Sequence, residues 1–397
     1  MPAATGTPFP PLMTPARPPF WRNVKVLRAV IQIIALVGVG LVVYVLFFNV
    51  TNNLRARGIR TDFEFLDQPF GVRIAGSDLS PGAPVRAALI NGVKNTLALT
   101  VVGLPLLTIL GVLVGVGRLS ANWLVSKVAT VYVEILRNLP PLLLIVFAFQ
   151  GVILRLPPAR SPATPFGWFV ISNLETHVPG FRAGAGYAAF ISAVGLALAI
   201  GAFVWWWRTR VQQETGAPHH RWAWSLGLVA VVGVIAYLVI GRPVTITLPV
   251  LTGRVVDGGF RGLGAFFAVM GALVLYTSSH VAEIVRGSIQ AVPKGQTEAA
   301  SALALSGFQR LRFVVLPQAL RVALPPMINQ YLNYVKNTSL AIVVGFAEVT
   351  LIAFQAIGNG QPAPQVIITL MAAYLMFSLV ISLIINVFNR RLRVVTR

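Results

Sequence analysis

The feature that most constrains this chain is a series of apolar runs almost without charge, the first of them LRAVIQIIALVGVGLVVYVLFFNV from Leu27 to Val50. A backbone amide in lipid finds no water, so such a segment must satisfy its own N–H and C=O groups. An α-helix of about 20 residues does this while crossing the hydrocarbon core. Eight runs qualify, at roughly 27–50, 92–117, 130–153, 187–207, 224–241, 263–288, 321–345 and 365–388. The expected fold is therefore all-α, a polytopic membrane protein with about eight transmembrane helices. A content of 56% hydrophobic and 11% charged residues agrees, lying outside the soluble range. The chain has no cysteine, which removes disulfides, thiolate metal sites, iron–sulfur ligation and thiol nucleophiles.

The formal charge of +21, from 32 Lys and Arg against 11 Asp and Glu, would suggest nucleic acid in a soluble chain. Here the basic residues fall between apolar runs, where they orient the spans and meet lipid headgroups, and no nucleic-acid partner is expected. An even number of spans puts both ends on one side, and the basic tails at Arg22, Lys25 and Arg28 and at Arg390, Arg391, Arg393 and Arg397 place both in the cytosol. The short connections 118–129, 208–223 and 289–320 are basic and fall inside with them. Trp205 to Trp207, Trp222 and Trp224 flank the second of these as an interfacial belt. The outer connections 51–91 and 242–262 are also basic (Arg55, Arg57, Arg60 and Arg73; Arg242, Arg254 and Arg261), the first balanced by Asp62, Glu64, Asp67 and Asp78. Segments 51–91 and 154–186 are rich in Gly and Pro, so no helix is assigned to them. Residues 1–26 form a tail before an uncleaved first span. Pro140-Pro141 and Pro325-Pro326 lie inside apparent spans, where two missing amides should kink or break the helix.

One stretch between spans, GQTEAASALALSGFQRLRFVVLPQ at 295–318, is too polar and too short to cross the bilayer. Pro293 and Gly295 end the preceding helix, Thr297 is a candidate N-cap, and Glu298 in the first turn complements the positive helix end. Ala299, Ala300, Ala302, Leu303, Ala304 and Leu305 favour helix but bury little area themselves. Ser306-Gly307 permits a turn, Phe308 to Val315 can form a second short helix, and Pro317 is expected to close it. By pattern alone the stretch is either an ordinary connection or a docking surface for another protein.

The stretch resembles the cytosolic loop of importer-type ABC permeases, which carries Glu-Ala-Ala, three residues, Gly, nine residues, Ile, one residue and Leu-Pro. Glu298-Ala299-Ala300, Val314 and Leu316-Pro317 match that pattern, and Ala304 stands where the family has Gly. The block from Glu283 to Ala341 is similar to the polar and general amino-acid branch, and NGVKNTLALT at 91 and YVEILRNLPPLLLIVF at 132 resemble its first two core spans. The extra first span at 27–50, the outer loop at 51–91 and the inserted segment 154–262 within the permease domain 92–388 resemble the larger permease of general L-amino-acid uptake systems. A tail at 389–397 completes the chain. The resemblance implies a bacterial inner-membrane protein that is not itself an enzyme. It also implies a partner ABC ATPase dimer that binds the ATP, a second permease subunit, a periplasmic substrate-binding protein and an amino-acid substrate. It gives Gly295, Glu298, Ala299, Ala300, Ala304, Gly307, Leu316 and Pro317 the role of a coupling loop. Because Ala resists positive φ, the bend is expected to move from Ala304 to Gly307. No GxxxxGK[ST] occurs, so a nucleotide-phosphate cradle is not expected in this chain, nor any cofactor.

Ionisable and polar groups inside spans need partners or a cavity. Asn329, Asn333, Lys336 and Asn337 share one helix face. They either line a path for an amino acid, Lys336 attracting its carboxylate, or bond to a partner permease. Glu134 and Arg137 sit one turn apart, as do Glu283 and Arg286, and each is expected to pair within its helix or to act as a gate. His280 is expected to be a satisfied histidine, with a proton relay as the alternative, and His219-His220 lacks the further ligands a metal would need. Membrane-embedded charges also suit an ion-gradient-driven secondary transporter, which would not need the 298–317 pattern.

Overall fold

A computed structural model describes residues 24–56, 58, 62–216, 220–253 and 255–392. The tail before Val24 and the expectations placed on Arg57, Arg60, His219, Arg254, Arg393 and Arg397 lie outside the described residues. The chain divides into two units, 1–65 and 66–397. The first is built on α1 (Val24–Ala56), 33 residues long and about 50 Å from end to end. Its apolar window, Val26–Asn53, has no buried face, as suits a helix solvated by lipid.

The second unit carries the remaining spans. Among the described residues of the whole chain, seven helices are long and apolar enough to cross a membrane, and a bent pair raises the number to eight. The centre of the second unit is α7 (Gly264–Gln290), against which α2 (Val85–Gly117), α3 (Trp123–Asn138), α4 (Pro141–Val146) and α10 (Leu316–Asn337) pack. Gly111 and Gly115, one turn apart on α2, set the closeness of its seam with α7. A Cβ on Gly111 would stand 2.6 Å from Val281 Cγ1, and one on Gly115 would stand 2.7 Å from the Ala282 carbonyl oxygen. Only hydrogen at both positions lets the backbones meet, which is how helices associate in lipid, where apolar burial supplies little drive. Leu99, Leu107, Val269, Leu273 and Tyr334 fill the core beside this seam, and the Tyr334 hydroxyl donates to the Leu99 carbonyl at 3.0 Å.

The two proline pairs behave differently. The run at 130–153 is not one straight span: α3 and the leg Pro141–Arg155 meet at 106°. Leu139 (ψ 138°) and Pro140 (ψ 133°) are both extended, because a residue that precedes proline is pushed out of the helical region, and here two do so in succession. By contrast, α10 remains helical through Pro325-Pro326, held between α7 and α12 (Ala363–Leu392), so no break forms there. Nor does Pro317 close a helix. A short helix, α9 (Gly307–Arg310), passes through a π turn at Leu311–Val315 directly into α10, and Pro317 sits in the first turn of α10, where a missing amide costs least.

After α10 the chain tightens into 3-10 turns at Thr338–Val344 and reverses at Gly345 (φ 69°) into α11 (Val349–Gly358), ten mostly apolar residues expected from sequence as a connection. Glu348 caps α11 from a fully buried position. One of its oxygens accepts from the Leu351 amide at 3.0 Å and the other from the Tyr374 hydroxyl at 2.9 Å.

The region 154–263 adds β-structure to the helical fold. In segments 154–186 and 242–262, β1 (Val170–Ile171), β2 (Glu175–Val178) and β7 (Phe260–Leu263) form one antiparallel sheet. Strands β3 (Gly180–Ala183) and β4 (Val244–Thr247) pair as a ribbon, and so do β5 (Val250–Thr252) and β6 (Val255–Asp257). Between β3 and β4 rise α5 (Tyr187–Thr215) and α6 (Arg221–Val239), a helical hairpin that packs chiefly on itself. The strands tie together the start of α5, the end of α6 and the start of α7. Each of these helices has span length, so the end of α5, the start of α6 and the segment 291–316 lie a span away from the strands.

Across β2 and β7, Arg261 Nε donates to Glu175 at 2.5 Å, and His177 Nε2 lies 3.2 Å from the other Glu175 oxygen. Burial opposes ionisation of Glu175, yet the hydrogen bonds from His177 and Arg261 and the Arg261 charge together hold its carboxyl below the ordinary 4.5. A depressed carboxyl stabilises fully above its ordinary value and ceases to do so as pH falls through the lower folded one. Amide-exchange protection across β2 should therefore fall in acid below pH 4.5, and Arg261→Gln should flatten that dependence. At the seam, Gly115→Val should cost about 1–3 kcal/mol by overpacking, read as a lower unfolding temperature in detergent.

Candidate functional site

The segment 294–317 forms a braced elbow. Helix α8 (Lys294–Ala302) begins at Pro293, so Thr297 is not its N-cap; the Thr297 hydroxyl instead donates to the Lys294 carbonyl at 2.7 Å, and Glu298 lies past the first turn. Proline at the cap position, extended at ψ 135°, starts the helix one turn earlier than expected. The bend stays at Ala304, whose φ is 52°, and does not move to Gly307. Downstream geometry dictates this. Ser306 caps α9 by accepting from the Gln309 amide at 3.3 Å, while Gln309 Oε1 accepts from the Ser306 amide at 2.9 Å, and this box commits Gly307 to the first helical position. The left-handed turn falls to Ala304 at a strain of about 1–2 kcal/mol.

Arg310 Nη1 donates to Ser301 Oγ at 2.9 Å and Gln318 Nε2 to Gln296 Oε1 at 3.3 Å, tying α8 to both α9 and α10. Val292, Val315 and Ala319 form a small apolar base for the elbow. Ala300 is turned inward at 3% exposure, whereas Leu303, Phe308 and Phe313 stand 75%, 68% and 63% exposed. Gly295, Glu298, Ala299, Ala304, Gly307, Leu316 and Pro317 are exposed as well. The result is a rigid polar knob with large apolar side chains uncovered, Leu303, Phe308 and Phe313 the most so, the composition of a surface that another protein covers.

A second constellation lies where the break in the third span meets α7. A cavity of about 270 Å³ is lined by Pro141, Tyr276, Thr277, His280, Gln330, Asn333 and Asn337. Among the described residues, Thr277 Oγ1 and His280 Nε2 are buried there without a hydrogen-bond partner, so this nitrogen of His280 is not satisfied as its surroundings in sequence suggest. Its ring packs edge-on against Tyr276 with centroids 4.8 Å apart, an apolar contact that satisfies neither nitrogen. Of the four polar residues on one face of α10, Asn333 and Asn337 line the cavity, while Asn329 and Lys336 are exposed outside it.

One turn beyond His280, Glu283 gathers three guanidinium groups. Arg286 and Arg118 bond to it directly, and Arg137 Nη1 lies 3.6 Å from the same oxygen that Arg118 contacts. The Glu283–Arg286 pair forms as expected, but no Glu134–Arg137 pair occurs among the described residues. Arg137 turns across to α7, and Glu134 is exposed with only its backbone carbonyl engaged, by Asn138 Nδ2 at 2.7 Å. Charge explains the choice: a carboxylate flanked by helices offers Arg137 a less hydrated partner than an exposed one on its own helix. Three cations around one anion leave the cluster positive. An arrangement of positive charge, amide carbonyls and unsatisfied donors suits a small zwitterion, which brings one carboxylate and one ammonium. Sequence reading missed Thr277, Tyr276 and Gln330; the one available signal was the spacing of Thr277 and His280, three residues apart on an otherwise apolar helix.

Known proteins share this arrangement of sequence. Residues 228–394 match the family described as the binding-protein-dependent transport system inner membrane component. The putative amino-acid ABC transporter permease protein YhdX of Escherichia coli (strain K12) is 38% identical over 369 residues, covering 92% of this chain and 94% of that protein. The general L-amino acid transport system permease protein AapQ of Rhizobium johnstonii is 36% identical, with 93% and 92% covered. The glutamate/glutamine/aspartate/asparagine transport system permease protein BztB of Rhodobacter capsulatus is 35% identical, with 87% and 88% covered. With a multi-pass helical core and likenesses that span most of each relative, this chain belongs to the family of amino-acid ABC transporter permeases.

Proposed function

We propose that this chain is the membrane-spanning subunit of an ATP-driven importer that moves L-amino acids across the bacterial inner membrane by alternating access. The elbow at 294–317 docks into a separate ATPase dimer, and a second permease subunit and a periplasmic substrate-binding protein complete the assembly. Both termini face the cytosol, with 51–91 and the strands of the insert on the periplasmic side. The observation that carries this reading is the elbow itself, held rigid by hydrogen bonds at its base while Leu303, Phe308 and Phe313 remain uncovered. A rigid knob transmits a push; a floppy connection would absorb it. Since α9 runs through the π turn into α10 without a break, displacement of the elbow tilts the helix that carries Asn333 and Asn337.

In this reading the cavity between α3, α4, α7 and α10 belongs to the translocation pathway. The positive cluster around Glu283, including Arg137, draws the substrate carboxylate, while the Asn333 and Asn337 side-chain oxygens accept from its ammonium. Asn329, Lys336 and Glu134, exposed in a single copy, are proposed to extend the path at the junction with the second permease. The names of the relatives, which include general L-amino acid and acidic and amide amino-acid systems, support this substrate class.

Reconstitution separates this reading from an ion-gradient-driven transporter. Uptake should require the ATPase and ATP, and uptake by the purified chain alone down a proton or sodium gradient would sink the proposal. Glu298→Lys should abolish uptake while leaving membrane insertion intact, whereas Ala304→Gly, which relieves the left-handed strain, should keep it; coupled transport assays with a membrane-fraction blot check both. Asn333→Leu should raise the KM for uptake about tenfold, the loss of one hydrogen bond to a charged group, with ATPase co-purification unchanged.

A further inference from the structure

We propose that Thr277 and His280 read the side chain of the substrate and favour a carboxamide, as in glutamine, over an apolar or a charged side chain. This rests on the cavity between α3, α4, α7 and α10 belonging to the translocation pathway. The starting observation is a hydroxyl that departs from the pattern of its neighbours. In a helix a threonine or serine hydroxyl can return to a carbonyl one turn back. Thr96, Thr100 and Thr108 on α2 do so at 3.0, 2.8 and 2.6 Å, and on α7 itself Ser278 and Ser279 donate to the Leu275 and Tyr276 carbonyls at 3.0 and 2.6 Å. Thr277, beside them and only 2% exposed, makes no such bond. Among the described residues its Oγ1 has no partner, and neither has His280 Nε2 one turn further along. A buried donor or acceptor left unmade costs free energy, so two such groups lining one cavity mark a place that a ligand completes.

The lining selects the ligand. Among the described residues no carboxylate, ammonium or guanidinium lines the cavity, so a charged side chain would enter it without a counter-ion. The arginines around Glu283 are engaged, in the proposed pathway, by the carboxylate that every amino acid carries. An apolar side chain of similar size would leave Thr277 and His280 unpaired, the condition under which a polar site rejects an apolar analogue most strongly. A carboxamide joins an N–H donor pair and a carbonyl acceptor on one carbon. It answers a hydroxyl, which both gives and takes, together with an imidazole nitrogen, which gives or takes according to its tautomer. Gln330 brings a matching amide to the same cavity, and the Tyr276 ring, 4.8 Å from that of His280 between centroids, steadies the imidazole. Asn333 and Asn337 remain for the ammonium.

Uptake by the complete importer in proteoliposomes, measured separately for glutamine, glutamate and leucine, tests this. Thr277→Val keeps the shape of the side chain and removes the hydroxyl. It should lower the glutamine-to-leucine ratio of kcat/KM about tenfold, the loss of one hydrogen bond, and Thr277→Ser should restore most of that ratio. His280→Phe, which keeps a ring against Tyr276, should lower the ratio in the same direction. The ratio is read within one assembled complex, so it does not depend on how much of each variant assembles. Asn333→Leu is the control for the pathway itself: it should slow glutamine and leucine alike, since both carry the ammonium. If it does so while Thr277→Val and His280→Phe keep the wild-type ratio, side-chain recognition by these two residues is overturned and the pathway stands. If none of the three variants slows any substrate, both fall together. A larger drop for glutamate than for glutamine in Thr277→Val would overturn the choice of a carboxamide.

Discussion

Hydrocarbon offers a peptide amide nothing to bond with, and the departures from regular helix within the core of this protein are shaped by that fact. The chain leaves the α-helix within its core at the Leu139-Pro140 break and at the tightened turns from Thr338 to Gly345. Both places lie against α7, although Leu139, Pro140 and Gly345 themselves keep an exposed face. The same α7 carries Thr277 and His280 into the cavity beside the first break. Irregular backbone, cavity and polar side chains thus coincide, because a void lined by polar groups is tolerated at membrane depth only where neighbouring helices enclose it.

Charge follows a related economy. Buried at 0% exposure, the Glu348 carboxylate is answered by a backbone amide and a tyrosine hydroxyl and serves to start a helix. Glu283 is answered three times over by arginine, leaving positive charge in surplus near the C-terminal end of α7. One acid is spent on architecture. The other makes an electrostatic environment from residues that come from three different helices, and only folding brings those together.

That difference marks what could be read from the residues in order. Apolar runs revealed the spans, since length and hydropathy are local properties, and the motif around Glu298 located the elbow. Tertiary competition decided the rest. Pro140 and Pro325 begin identical pairs, yet only the first breaks its helix, and the neighbours that hold α10 are distant in sequence. Ala304 takes the left-handed turn because a capping box two residues later commits Gly307 to a helix. Arg137 deserts Glu134 for a carboxylate far along the chain. The strands between 170 and 263 escaped notice because each is four residues or fewer, and the pairings of β2 with β7 and of β3 with β4 reach across two helices. The cavity residues Thr277 and Gln330 carry no signature of their own; their significance is positional.

The insert enters and leaves the helical core at nearly one point: the Gly264 amide donates to the Leu174 carbonyl at 2.8 Å, and β2 and β7 run back to back from there. A loop whose two ends are already joined can be lengthened or excised without moving what it hangs from. The hairpin of α5 and α6 is thus an attachment to the bundle, held through a strand-paired stalk, and a tight reverse turn between Leu174 and Gly264 would close the gap in its place.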